Sequence, residues 1–176
     1  MTRRQPWATA LAVAAFSATV VLAARVPHDD ELFARKAAEA GLDEIAAGRI
    51  ALKRASDESV RQFAQRMVED HGKAGAELHR IAAAQGLSLP DKLDKSAEQD
   101  LDRLTKLKGP AFDKAYMKHN VSAHKKAVKD FGKEASSGKD DAIRRFAEQT
   151  LPTLKEHEHL AESTARAVGV ASPGQK

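Results

Sequence analysis

Four stretches of this chain repeat apolar residues at helical spacing, each for roughly seven turns, and the breaks between them are short. The long stretches lie near 30–54, 57–85, 110–135 and 140–168, and a shorter one lies at 96–107. A helix with one apolar stripe must bury it, and four such helices with brief links bury theirs against one another. The pattern therefore predicts an all-α chain: an up-and-down four-helix bundle with one additional short helix. No strand-like alternation and no internal repeat competes with it. Composition agrees, because 31% of residues are charged and only 5% aromatic, with Ala, Lys, Glu, Arg and Leu, the strong helix formers, prominent.

The breaks have a local chemistry. "ASDESV" (55–60) is a tight Ser/Asp turn. In "QGLSLPDKLD" (85–94), Gly86 suits a left-handed helix stop with Leu87 packing back, and Pro90 prevents continuation. Ser96 with Gln99 reads as a capping box for the short helix. Pro110 suits the first turn of the next helix, and "SSGKD" (136–140) closes it. Pro152 falls inside the last stretch. The apolar stripe resumes in register at Leu154 and Ala161, so a kinked helix is expected there rather than a stop.

The first 23 residues read as a secretory signal peptide. Arg3 and Arg4 precede an apolar run from Trp7 to Ala24, and Val21-Leu22-Ala23 fits the small-x-small cleavage rule. The run also approaches the lower length of a membrane span, which leaves a retained anchor as the rival reading. The organisation expected is thus a leader at 1–23, the bundle at 29–168 and a flexible tail at 169–176. The mature chain is expected to work in the periplasm or envelope, with no membrane span of its own.

Charge and cysteine content narrow the function. The formal charge is +4, from 29 Lys+Arg against 25 Asp+Glu, and two of the cations lie in the leader. That balance argues against a nucleic-acid partner. The chain has no cysteine, which excludes disulfides, zinc–thiolate sites and a lipid-bearing cysteine.

Helical periodicity then sorts the polar residues. On the second helix, Val60, Ala64, Met67, Ala74, Leu78 and Ile81 form the stripe, and His71 lies in its middle. His79 is about 80° round, at the edge. On the last helix, His157 joins Ile143, Phe146, Leu154 and Ala161, while His159 points away. On the fourth, Asp113 and His124 share a line, His119 lies outside it, and Lys114, Lys118, Lys125 and Lys129 make a solvated face. On the first, Glu44 sits among Ala37, Ala40, Gly41, Ala47, Gly48 and Ala51, small residues that allow close helix approach. A buried carboxylate there needs a partner.

Five inward polar residues result: Glu44, His71, Asp113, His124 and His157. Converging at one level, they would form a thiol-free site for a divalent transition metal, Zn, Cu, Fe or Mn. Asp70 and Tyr116, at the margins of their stripes, would be supporting partners. The competing reading is a hydrogen-bonded polar core that fixes helix register and binds no metal, in a structural or interaction protein of the envelope. No Gly-rich phosphate loop, H-E-x-x-H or nucleophile elbow is present.

Several motifs in combination resemble one bacterial family. They are the Glu44-Ile45 pair after a small-residue run, Met67-Val-x-Asp-His71, Phe112-Asp-x-x-Tyr116 with His124 downstream, and Leu151-Pro-x-Leu-x-x-His157. Together they resemble the domain-of-unknown-function 4142 family over roughly Glu31 to Ala165. The resemblance implies a ferritin-like bundle, an exported location and marked positions at Glu44, Asp70, His71, Asp113, Tyr116, His124 and His157. It implies no activity. A ferritin-like redox enzyme is a third reading. Against it, the residues three before His71 and His157 are Val68 and Leu154, so the Glu-x-x-His pairs of di-iron bundles are missing.

Overall fold

The computed structural model describes residues 25–171. The proposed leader, 1–23, lies outside the described residues. Helix α1 (His28–Arg54) and α2 (Glu58–Ala84) form one hairpin, and α4 (Gly109–Ser137) and α5 (Asp141–Ala167) form a second. The short α3 (Lys95–Thr105) lies in the crossover between them. Among the described residues there is no strand. The five helices fall where the sequence pattern puts them, within three residues at every end.

The crossover sets the topology. One apolar cluster gathers the end of α1, the start of α2, the start of α4 and the end of α5, through Ala51, Val60, Phe63, Phe112, Tyr116 and Ala161. The other gathers the opposite ends, through Ala34, Leu78, Ile81, Ile143 and Phe146. Within each hairpin the helices run up and down. Because residues 85–108 carry the chain back along the bundle, α2 and α4 run parallel, as in ferritin-like folds with one long connection. Helix α3 buries no residue fully, but Leu101 and Leu104, with Leu107 just beyond it, pack on the first cluster.

Local signals act mostly as their chemistry demands. Gly86 takes φ +68°, and the Leu87 N–H donates to the Ala82 carbonyl at 2.9 Å, completing the left-handed stop. The short helix starts earlier than its Ser/Gln pattern indicates, because the Asp94 carboxylate accepts the Ala97 N–H at 2.8 Å and takes the cap from Ser96. Helix α5 continues through Pro152 without ending.

Two carboxylates tie the hairpins together. Asp113, on α4, accepts the backbone N–H groups of Ser56 and Asp57, each at 3.0 Å, and the Ser56 hydroxyl. Asp30, on α1, accepts the N–H groups of Lys139 and Asp140. Each hairpin thus closes the turn of the other. Asp57 and Asp140 in turn cap α2 and α5.

The small residues of α1 do two different things. Gly48 lies in a close crossing, where an added Cβ would sit 3.2 Å from the Ala64 carbonyl oxygen and closer still to Val68. Gly41, two turns earlier, has nothing within 4 Å. There the small side chains leave a cavity instead of a tight seam.

Candidate metal centre

The middle of the bundle, between the two apolar clusters, holds three histidines. His71 stands midway along α2, His124 midway along α4 and His157 one turn past the middle of α5. Helices α2 and α4 lie diagonally across the bundle, with α5 between them. His71 and His124 therefore meet across the core, their Nε2 atoms 3.5 Å apart. The three ring centres form a nearly equilateral triangle with edges of 5.6, 5.5 and 5.4 Å. One ring nitrogen from each lies within 4.8 Å of the other two.

Hydrogen bonds orient two of the rings. The Nδ1 of His124 is 2.9 Å from the Asn120 carbonyl oxygen, an acceptor only, so Nδ1 carries the proton and Nε2 keeps its lone pair. The Nε2 of His157 is 3.0 Å from Asp70 Oδ2. Donation there leaves the lone pair on Nδ1, which is buried without a partner. Asp70 is itself held by Arg66 at 3.4 Å and Lys73 at 3.5 Å. Its partial burial opposes its charge, but the His157 hydrogen bond and these cations keep it below the ordinary carboxylate range.

Burial sets the protonation of the imidazoles. His124 and His157 are each 1% exposed. Desolvation, reinforced by His124 and His157, pushes His71 down to about 3. Desolvation pushes His124 down to about 4, and His157 is lowered for the same reason, against the pull of Asp70. All three are neutral bases at pH 7, the form in which imidazole ligates a metal.

The sequence-derived set of five divides here. The structure brings His71, His124 and His157 together. Glu44 is alongside them: Oε1 lies 3.9 Å from His124 Nδ1, the nitrogen that faces away from His71. Its Oε2 is buried without a partner. Burial, offset in part by His119, raises its carboxyl to about 7. Asp113 does not join the set. It shares a helix line with His124, but eleven residues of rise separate them by about 16 Å. Its carboxylate is spent on the Ser56–Asp57 turn, as described above. Sharing a helix face fixes direction and leaves height free, and height decides this case.

Two relationships escape helical periodicity. Asp70 looks marginal on α2, yet adjacent helix residues diverge by about 100°, so His71 reaches α4 while Asp70 reaches α5. The Asp-His dipeptide was the available signal. His119, placed outside by the pattern, is half-buried, with Nε2 3.2 Å from Asp43 Oδ2. His79 and His159 are exposed, as their positions on the helical wheel require.

A cavity of about 260 Å³ opens onto the cluster. Glu44, His71, His79, His124 and Thr150 are its polar lining, and the rest of its wall is Ala, Gly, Leu, Ile and Phe residues from the four long helices.

Solved structures share this architecture. A DUF305 fragment from Deinococcus radiodurans superposes with a TM-score of 0.72 at 12% identity, covering 82% of this chain and 99% of the other. A DUF305 protein from Streptomyces coelicolor superposes with a TM-score of 0.70 at 15% identity, covering 84% of this chain and 96% of the other. At those identities the likeness is one of fold. No curated protein matches the chain. The family pattern of DUF4142 matches residues 15–164, including all three histidines, and the chain belongs to that family, a domain of unknown function.

Proposed function

We propose that this protein binds a divalent transition metal, Zn or Cu ahead of Fe or Mn, through His71, His124 and His157. One observation carries the reading: three neutral imidazoles from three helices converge, and the Asn120 carbonyl and the Asp70 carboxylate hold two of them in ligating tautomers. Carboxylate-oriented histidine is the ordinary surrounding of a protein-bound zinc or copper. The spacing suits it. Two nitrogens bound at about 2.0–2.1 Å in a tetrahedron stand about 3.4 Å apart, close to the His71–His124 separation. Three nitrogen ligands leave a position open, the arrangement of catalytic rather than closed structural sites. Glu44 serves as a nearby counter-charge, and Asp113 as a structural tie.

The setting we propose is the cell envelope, reached through the 1–23 leader. Among the described residues no helix is long and apolar enough to cross a membrane. The competing reading, a polar core without metal, draws on the hydrogen bonds already satisfied at His124 and His157.

Titration of the purified apoprotein with Zn²⁺, Cu²⁺ and Co²⁺ separates the two. A 1:1 complex, lost in His71→Ala and His124→Ala but kept in His79→Ala, supports the metal centre. Absence of stoichiometric binding in a folded parent removes it and leaves the polar core.

A further inference from the structure

Two of the three histidines are sealed in the bundle, and the third is not. His124 and His157 are each 1% exposed, whereas His71 is half-buried. The cavity of about 260 Å³ is lined by His71 and His124 but not by His157. Its exposed lining residues are Gly72, Ala76 and His79 on α2 and Ala40 on α1. The three on α2, at spacings of four and three, follow one line of that helix, so the main mouth of the cavity runs along this flank of α2. Small residues keep the way in open. An added Cβ at Gly41, Gly72 or Gly75 would have nothing within 4 Å. Of the four exposed lining residues, His79 alone carries a side chain that can bind a metal.

His79 stands two turns along α2 from His71, about 12 Å, and lies outside the triangle of converging nitrogens. It is therefore no ligand of an ion seated among the three. It is placed instead where an ion would arrive. We propose, building on the three-histidine reading, that the Gly72–Ala76–His79 mouth is the path by which the metal reaches and leaves the centre, and that His79 is its first docking site. The ion exchanges a water for the His79 imidazole, passes to His71, and is then closed in by His124 and His157. Between the mouth and the centre the wall is apolar apart from Glu44 and Thr150. Apolar walls hold a hydrated dication poorly, so a nitrogen donor at the entrance shortens the unliganded part of the way. Each step replaces water or one imidazole by another imidazole, with no change of oxidation state. A site visited on the way in is also visited on the way out. Loss of His79 must then slow uptake and release by the same factor and leave the equilibrium affinity where it was.

The test uses the full mature chain and free Co²⁺, whose visible spectrum reports the ligands on the metal. Uptake is followed by stopped flow, and release by mixing the loaded protein with excess chelator. His79→Ala is expected to slow both steps alike, several-fold, at unchanged 1:1 affinity. His79→Asp, which restores a metal-binding group at the mouth, should recover most of the rate. Gly75→Leu narrows the passage from an open helix position and should slow both steps in the same way. His159→Ala, exposed and away from this cavity, should slow neither. Parent rates in His79→Ala overturn the docking role, and parent rates in Gly75→Leu overturn the path; either result leaves the metal centre standing. A weaker complex in His79→Ala, with release faster than the parent's, overturns the proposal too, because it makes His79 a ligand of the seated ion. Failure of Co²⁺ to bind the folded parent overturns the metal centre and the proposal with it.

Discussion

Asp70 Oδ2 lies 3.0 Å from His157 Nε2, across the interface of α2 and α5, while the next residue, His71, reaches the opposite way to His124. The carboxylate fixes which nitrogen of His157 carries the proton. Asp70→Asn keeps the size but removes the charge and weakens the hold on that tautomer. We expect zinc affinity to fall about 10- to 100-fold, the usual effect of losing a ligand's orienting partner. Competition titration against a chelator of known affinity measures it. Unchanged affinity would show that His157 needs no orientation from Asp70.

Asp113 gives the opposite expectation. Its carboxylate holds two backbone N–H groups and a hydroxyl at the α1–α2 turn, far from the imidazoles. Asp113→Ala should lower stability by about 1–3 kcal/mol, as partners of a buried acceptor lose it. Metal affinity should stay at the parent value. Urea unfolding and metal titration on the same sample check both halves, and a loss of affinity without a loss of stability would return Asp113 to the metal site.

Acid should affect metal binding later than ordinary histidine chemistry implies. An unperturbed imidazole competes for protons near 6.5. Burial takes His71 to about 3 and His124 to about 4. In Glu44→Gln, which removes the counter-charge that itself titrates at about 7, affinity is therefore expected to hold as pH falls through 6.5 and to drop only as the depressed values of the rings are approached. A fall centred near 6.5 in the titrations would mean that the rings are more open to water than their burial indicates.

Stability should depend on pH in two opposed ways. The two histidines have depressed values, so the unfolded chain takes up their protons first. Their contribution is whole above about 6.5 and is lost as pH falls toward 4 and 3. Glu44 is raised from 4.5 to about 7, so its ionisation in the fold costs stability that grows from pH 4.5 and is complete above 7. Glu44→Gln is thus expected to be more stable than the parent at pH 8, by an amount on the order of 3 kcal/mol at most. The advantage should vanish at pH 4. Thermal melts of the apoprotein at the two pH values read it, and equal differences at both would contradict the assignment.

Gly48 and Gly41 form a paired test of the α1 seam. Gly48→Ala forces a Cβ against the Ala64 carbonyl and Val68, and overpacking of this kind costs about 1–3 kcal/mol. Gly41→Ala meets nothing within 4 Å and gains helix propensity, so it should be neutral or stabilising by up to about 1 kcal/mol. Chemical denaturation of both variants suffices, and matching losses would mean that the seam is closed along its whole length.

Much of this was legible from residue order. The apolar period located five helices, because a stripe of buried residues leaves a strong mark on sequence. It also turned His71, His124 and His157 inward while leaving His79 and His159 in solvent. Periodicity gives direction around an axis, however, and says little about height along it. Asp113 was therefore grouped with His124 although three turns separate them. Nor does it report how far apart two helices stand. The small residues of α1 read as one close seam, whereas those at 47–51 make a crossing and those at 37–41 border a cleft. The pairing of Asp70 with His157 depends on which helices become neighbours, and the crossover through α3 decides that.

Asp30 and Asp113 carry one more consequence. Residues 30 and 57 have the same separation as residues 113 and 140, and in each case the first carboxylate belongs to the hairpin whose partner's turn it closes. The molecule is in effect a dimer of hairpins joined by a tether. Neither hairpin contains all that its own turn requires, so each is an incomplete folding unit. The tether at 85–108 makes the exchange internal. Shortened until it no longer spans the bundle, it would leave every one of these contacts available between two copies, with Asp113 of one closing the Ser56 turn of the other: a swapped dimer with the same core twice over.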